Sequence, residues 1–306
     1  MKVGILHEKL EWTEKGLRDE FERMKGVEVE LFDVRKVSTQ DLVDFEADIL
    51  LNRVYASVAN RDYGNLERTL VLVRDLEDNG VPVVNSLKAS MADYSKIDAF
   101  HLMKEQGVRT AETILYVDGM NLENTVNESL GGFPIIVKRN AGGRGKDLAK
   151  CFDLSEIKAA VIQIISQANY NGGVLLQEFT PPNEPRDYRV WVIGGEVLFY
   201  HGRSLITTRE EEFPWLASRS LGSQVLPIET SIPKDLEVFA LHAAKSIGAT
   251  IDVLDVVRMD QGYSVIEHNP TPNLNPAYEE ALGFNPVTYF AERIVDMASR
   301  KDVAAK

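Results

Sequence analysis

Residues 135–147 read IIVKRNAGGRGKD. An apolar run of strand type ends at Lys138. Gly142, Gly143 and Gly145 then follow, interleaved with Arg144 and Lys146. Glycines let the backbone turn tightly and aim N–H groups at an anion, and the two cations add charge. The glycine spacing is not that of a Walker loop, and it is not the G-x-G-x-x-G dinucleotide pattern. By itself the segment is either a phosphate-binding loop or a flexible surface hairpin loop.

Upstream, strands alternate with helices. Val3–Leu6, Val27–Val34, Asp48–Val54 and Val81–Asn85 read as strands, the second with period-two alternation. Thr13–Met24 and Asn65–Asn79 read as helices between them, the latter stopped by Gly80. That order predicts a parallel α/β lobe ending near Ser90. The next stretch holds a helix over Lys96–Gln106, strands over Thr113–Val117, Pro134–Asn140 and Val174–Phe179, and a helix over Leu154–Ala168. A proline cluster, TPPNEP, then leads into a β-rich part. There DYRVWVIGGEVLFYHGR forms a hairpin about Gly194-Gly195. A helix covers Lys234–Ile247, a second hairpin turns near Gln261-Gly262, and a last helix follows Pro286. The expected division is 1–90, 91–180 and 181–306.

Composition bounds the function. The chain has 306 residues, 34 Lys plus Arg against 47 Asp plus Glu, and a net charge of −13. Such a body has no whole-molecule attraction for nucleic acid or anionic membranes. One cysteine, Cys151, excludes an intrachain disulfide and fits a reducing, cytoplasmic setting. It reads as a small buried hydrophobe. The apolar run at the N-terminus is too short for a signal peptide, and no window approaches a membrane span.

A second chemical signal lies in VLDVVRMDQGYSVIEHNPTPN. Glu267 and Asn269 are two apart, so they share one face of a strand, and Asp255 can face them across the hairpin. Two carboxylates and an amide oxygen suit Mg²⁺, which takes its remaining oxygens from water and phosphate. The alternative is a solvated polar face. A third signal is Gln177-Glu178-Phe179, ending a strand at a lobe exit where hinge backbone groups could read an adenine edge.

Five segments in this order, SKIDAFHLMKEQGV, FPIIVKRNAGGRGKD, LLQEF, DYRVWVIGGEV and LDVVRMDQGYSVIEHNPTPN, resemble the ATP-grasp carboxylate–amine ligases of the RimK-type branch, over about residues 52–275. The resemblance implies the ATP-grasp α/β fold: an N-terminal parallel α/β lobe, then two α+β lobes that clasp the nucleotide. It implies Lys96 and Lys138 as phosphate lysines, Gly142 to Lys146 as a lid, and Gln177, Glu178 and Phe179 as the adenine hinge. Glu184 becomes the ribose acid, and Asp187 and Arg189 the family's paired Asp and Arg. Arg203 faces the reacting carboxyl group, and Asp255, Glu267 and Asn269 hold magnesium. Arg53, His268 and Asn273 fall on the substrate side. The implied cofactors are ATP and two Mg²⁺, with Mn²⁺ as a substitute.

The chemistry implied is phosphorylation of a carboxylate to an acyl phosphate, attack by an amine, and release of ADP and phosphate. Small amino-acid or peptide substrates, or a carrier-protein terminus, are the expected partners, with a dimer or tetramer as the expected assembly. The segment EEEFPWLASRSLG is unlike the basic loop of the ribosomal-protein ligases, and Trp215 within it is a candidate wall of the substrate pocket. Two other readings share these motifs: a small-molecule kinase of the same nucleotide fold, and a non-catalytic ATP-binding module.

Overall fold

The computed structural model describes residues 1–142, 147–209, 213–218, 221–226, 231–274 and 277–300. The lid positions Gly143, Arg144, Gly145 and Lys146 lie outside these residues. Three sheets organise the chain. In the first, β1 (Lys2–His7), β2 (Glu28–Asp33), β3 (Ile49–Asn52) and β4 (Val83–Val84) run parallel in the order β2-β1-β3-β4. The connections are α1 (Trp12–Arg23), α2 (Thr39–Asp44) and α3 (Gly64–Asp78), with a 3₁₀ turn at Ala56–Asn60. Buried Ile and Leu in β1 and β3 face helices on both sides, as parallel sheets require.

Two helices, α4 (Leu87–Tyr94) and α5 (Lys96–Glu105), lead out of this lobe, so the expected boundary at residue 90 falls inside a helix. The second sheet is antiparallel, in the order β5-β8-β6-β7: β5 (Thr113–Leu115), β6 (Ile135–Arg139), β7 (Leu148–Cys151) and β8 (Val174–Glu178). A single turn, α6 (Leu122–Asn124), precedes β6, and α7 (Leu154–Ile165) packs Ile157, Val161 and Ile164 against Ile135, Val137 and Leu176. Cys151 is buried in the same cluster.

The third sheet runs β11-β10-β9-β12-β13, from β9 (Arg186–Ile193), β10 (Glu196–Ser204), β11 (Val225–Leu226), β12 (Ile251–Met259) and β13 (Gly262–Asn269). Gly194 and Gly195 take φ of +61° and +76°, the left-handed pair that a two-residue hairpin turn needs. The second hairpin turns at Asp260-Gln261, one residue earlier than expected, because Met259 pairs with Gly262.

Alternation along this sheet divides its two faces. Tyr188, Val190, Val192, Leu254 and Val256 pack under α8 (Lys234–Ser246) with α5. On the other face, Trp191, Ile193, Ile251 and Val253 join Val3, Leu17 and Phe21 of the first lobe. After a short α9 (Ala277–Leu282), the last helix, α10 (Pro286–Arg300), returns to this seam and inserts Phe290 and Ile294 beside α1. Helix α10 thus belongs to a core shared with the N-terminal lobe. No described helix is long and apolar enough to cross a membrane.

Candidate active site

The face of the third sheet that carries Trp191 and Val253 turns polar toward one end. Register partners across β10, β9, β12 and β13 there are His201, Arg189, Asp255 and Glu267. One step along, Arg203 pairs with Asp187. The period-two rule therefore brings Asp187, Arg189, Arg203, Asp255 and Glu267 to one surface. A bulge after Asp255 leaves Ile266 without a partner, so consecutive residues Ile266 and Glu267 both border the cleft.

The start of α5 and strand β6 supply two lysines. Lys96 opens α5, and the side chain of Asn140 caps that helix by accepting from the Ile97 N–H at 2.9 Å. The Lys96 ammonium donates to the Gly142 carbonyl at 2.7 Å. Lys138 on β6 lies over the Phe100 ring, 4.9 Å from its centroid. Burial pushes the Lys138 ammonium down to about 7, with Lys96 pushing the same way and Glu267 opposing.

Both lysines border a cleft of two compartments. The first, about 150 Å³, is walled by Ile136 and Leu148 from the second sheet and Val257 and Ile266 from the third. Glu178, Phe179 and Thr180 form its edge, and Trp215 and Leu216 its roof. Trp215 meets Phe179 edge-on at 6.1 Å, and the Lys150 ammonium sits 3.9 Å from the Phe179 centroid. Gln177 donates to Thr113 Oγ1 at 2.7 Å, and the Glu178 N–H donates to the Glu112 carbonyl at 2.8 Å. The second compartment, about 400 Å³, is bordered by Arg53, Asp93, Arg189, His268, Asn269 and Asn273, among others. Lys96, Gly142, Arg203, Asp255 and Glu267 border both.

Arg203 is bound tightly to Asp187 through two guanidinium nitrogens and reaches Asp255 Oδ2 at 2.7 Å. Arg189 lies 3.3 Å from Asp255 Oδ1, which is buried without a hydrogen bond. Burial raises the Asp187 carboxyl above the ordinary range against the pull of Arg203. It drops the His268 imidazole to about 3, helped by Lys96 and Lys138, so His268 is neutral. Arg53 donates to Glu14 at 3.3 Å and to the Pro272 carbonyl at 2.8 Å, tying β3 and α1 to the turn after Asn269. Thr13 completes that tie by donating to Asn273 Oδ1 at 3.1 Å.

The oxygen cluster fits a divalent cation. Asp255 and Glu267 are direct register partners, and Asn269 donates its amide N–H to the Val253 carbonyl at 3.2 Å, so its side-chain oxygen is the atom that could face an ion. The orphaned Asp255 Oδ1 is the atom such an ion would satisfy. Among the described residues no group of three or more His, Cys, Asp or Glu could hold a metal ion.

Two expected residues stand elsewhere. Glu184 borders neither compartment. Its carboxylate is held by Arg186 at 2.6 Å and by the Tyr188 hydroxyl at 2.9 Å. Asp187 is wholly buried, pairs with Arg203 and borders neither compartment. The apolar walls Ile136, Leu148, Val257 and Ile266 carried no distinctive sequence signal beyond strand alternation. Asp93 carried none.

Residues 93–294 match the family model of the RimK-like ATP-grasp domain. The chain is 27% identical to the "Probable alpha-L-glutamate ligase 2" of Hahella chejuensis (strain KCTC 2396), over 90% of this chain and 89% of that protein. Its fold is similar to a RimK domain ATP-grasp protein from Sphaerobacter thermophilus DSM 20745, with TM-score 0.67 and 17% identity, covering 96% of this chain and 100% of that one. It is likewise similar to the ATP-grasp ligase PsnB complexed with a minimal precursor, Mg and ADP, with TM-score 0.66 and 18% identity, covering 97% of each chain.

Proposed function

This chain belongs to the RimK-like ATP-grasp family, and we propose that it builds an amide bond in two steps within the two-compartment cleft. It is an ATP-dependent carboxylate–amine ligase. A carboxylate is a poor acylating agent because oxide would have to leave. In the first step the substrate carboxylate attacks the γ-phosphorus of ATP, ADP departs and an acyl phosphate forms. In the second, an amine attacks the acyl carbon and phosphate departs.

The observation that carries this reading is the meeting of Lys96, Lys138, Arg203, Asp255 and Glu267 at one cavity. Phosphoryl transfer requires positioning and charge neutralisation more than a protein nucleophile. The base of ATP lies between the apolar walls at Ile136 and Ile266, with the Phe179 edge beside it, and Lys96 and Lys138 neutralise the phosphates. Asp255, Glu267 and the Asn269 amide oxygen would hold two Mg²⁺, with Mn²⁺ as a substitute, to screen phosphate oxygens during transfer. Arg203, oriented by Asp187, holds the substrate carboxylate and then the oxyanion of the tetrahedral intermediate. Arg53, His268 and Asn273 border the substrate compartment. The compartment's size fits an amino acid or a peptide end.

The test is phosphate release from ATP with a matrix of amino acids and short peptides, with and without hydroxylamine. ADP, phosphate and a hydroxamate are expected. AMP with pyrophosphate, or phosphate moved to a hydroxyl acceptor, would refute the reading.

A further inference from the structure

Three carboxylates border the substrate compartment and not the nucleotide compartment: Glu11, Glu14 and Asp93. Two are already committed. Glu14 accepts from Arg53 at 3.3 Å and from the Glu11 N–H at 3.2 Å. The Glu11 side chain accepts from the backbone N–H of Glu14, closing the capping box of α1. Asp93, at the end of α4, differs. It is only 8% exposed, and its Oδ2 accepts one hydrogen bond, from Thr271 at 2.9 Å. Its Oδ1 makes no hydrogen bond among the described residues. Burial lifts its carboxyl to about 6, because Thr271, Lys96 and Arg53 only partly offset desolvation and Glu267 adds repulsion. The Lys96 ammonium donates to the Gly142 carbonyl and makes no hydrogen bond to Asp93 among the described residues.

Asp93 is therefore a largely buried side chain bordering the substrate compartment, with one carboxylate oxygen free of hydrogen bonds among the described residues. An amine at neutral pH arrives as an ammonium, a cation with three donors. A buried anion with a free acceptor is the complement of that group. We propose that Asp93 anchors the acceptor amine: Oδ1 receives the ammonium of the incoming amino acid or peptide and sets it beside the carboxyl group held by Arg203. This inference rests on the ligase reading above and adds the residue that selects a cationic, primary-amine acceptor.

The test compares wild type with Asp93→Asn, using the amino-acid pair that gives the fastest wild-type phosphate release. Asp93→Ser replaces it should the Asn variant not fold, judged by thermal unfolding. The expected result is an amine KM raised by about tenfold or more, the loss typical of a hydrogen bond to a charged group. KM for ATP and the Mg²⁺ requirement stay at wild-type values. Hydroxylamine, small and largely uncharged at neutral pH, is still converted to hydroxamate at close to the wild-type rate. Thr271→Val, which keeps the carboxylate, changes the amine KM less than Asp93→Asn does. An unchanged amine KM, a parallel loss of hydroxamate formation, or a raised Mg²⁺ requirement would each overturn the assignment while leaving the ligase reading intact. A wild type that forms neither amide nor hydroxamate with any pair would remove the ligase reading, and this inference with it.

Discussion

Lys138 offers a pH-dependent test of how the cleft captures ATP. Its ammonium is held at about 7 against an ordinary 10.5, mainly by burial. At about 1.4 kcal/mol per pKa unit, keeping the charge in the empty cleft costs on the order of 5 kcal/mol. Above neutrality the free enzyme therefore holds a growing fraction of uncharged Lys138. The triphosphate binds the charged form, so kcat/KM for ATP should fall through about pH 7, by up to tenfold per further unit, since that parameter reports the free enzyme's ionisations. Stability should move the other way. The unfolded chain keeps the proton up to its own higher pKa, so between about pH 7 and 10 the empty protein gains stability as pH rises. Initial rates of ADP release across ATP concentrations and pH measure the first trend, and thermal unfolding without ATP measures the second. Lys138→Arg carries a guanidinium that stays charged throughout, so its profile should lose the break even at a lower overall rate. A wild-type kcat/KM that is flat across that window, or a break that survives in Lys138→Arg, would refute the reasoning.

Other perturbations separate the parts of the cleft. Asp255→Asn and Glu267→Gln should each raise the Mg²⁺ concentration for half-maximal activity, read by metal titration at saturating ATP. Asp187→Ala leaves Arg203 with a buried, partly unpaired charge and should cost about 3–5 kcal/mol of stability by denaturant unfolding. Its kcat should fall more than its ATP affinity, because Arg203 loses its orientation. Trp215→Ala removes one aromatic contact at the nucleotide roof, worth about 1 kcal/mol, and should raise KM for ATP about fivefold with kcat kept.

The site was legible in proportion to how local its signals were. Glu267 and Asn269 could be placed on one strand face by alternation alone, but their pairing with Asp255 depends on a turn one residue earlier than the sequence suggested and on the bulge after Asp255, which only the structure shows. Lys138 and the glycines after it stood out as a local signal. Glu184 bonds to its near neighbours Arg186 and Tyr188 away from both compartments, a placement that packing selects and the sequence does not show. Asp187 is fully buried and paired with Arg203, which the sequence could not show, since burial depends on what covers β9 rather than on β9 itself. Asp93 is one of 47 acidic residues, and nothing in its neighbours separates it from the rest.

By itself, the sequence determined the strand-and-helix order, the Gly194-Gly195 turn and the types of charge available for phosphate and metal. Those properties follow from backbone sterics and side-chain period, which act over a few residues. Tertiary structure alone decided that α10 closes the core of the first lobe, that Arg53 ties α1 to the turn after the oxygen cluster, and that Asp93 keeps one oxygen free. The physical reason is that burial and ion pairing are set by segments far apart in the chain, and the free energy of a charge depends on all of them together.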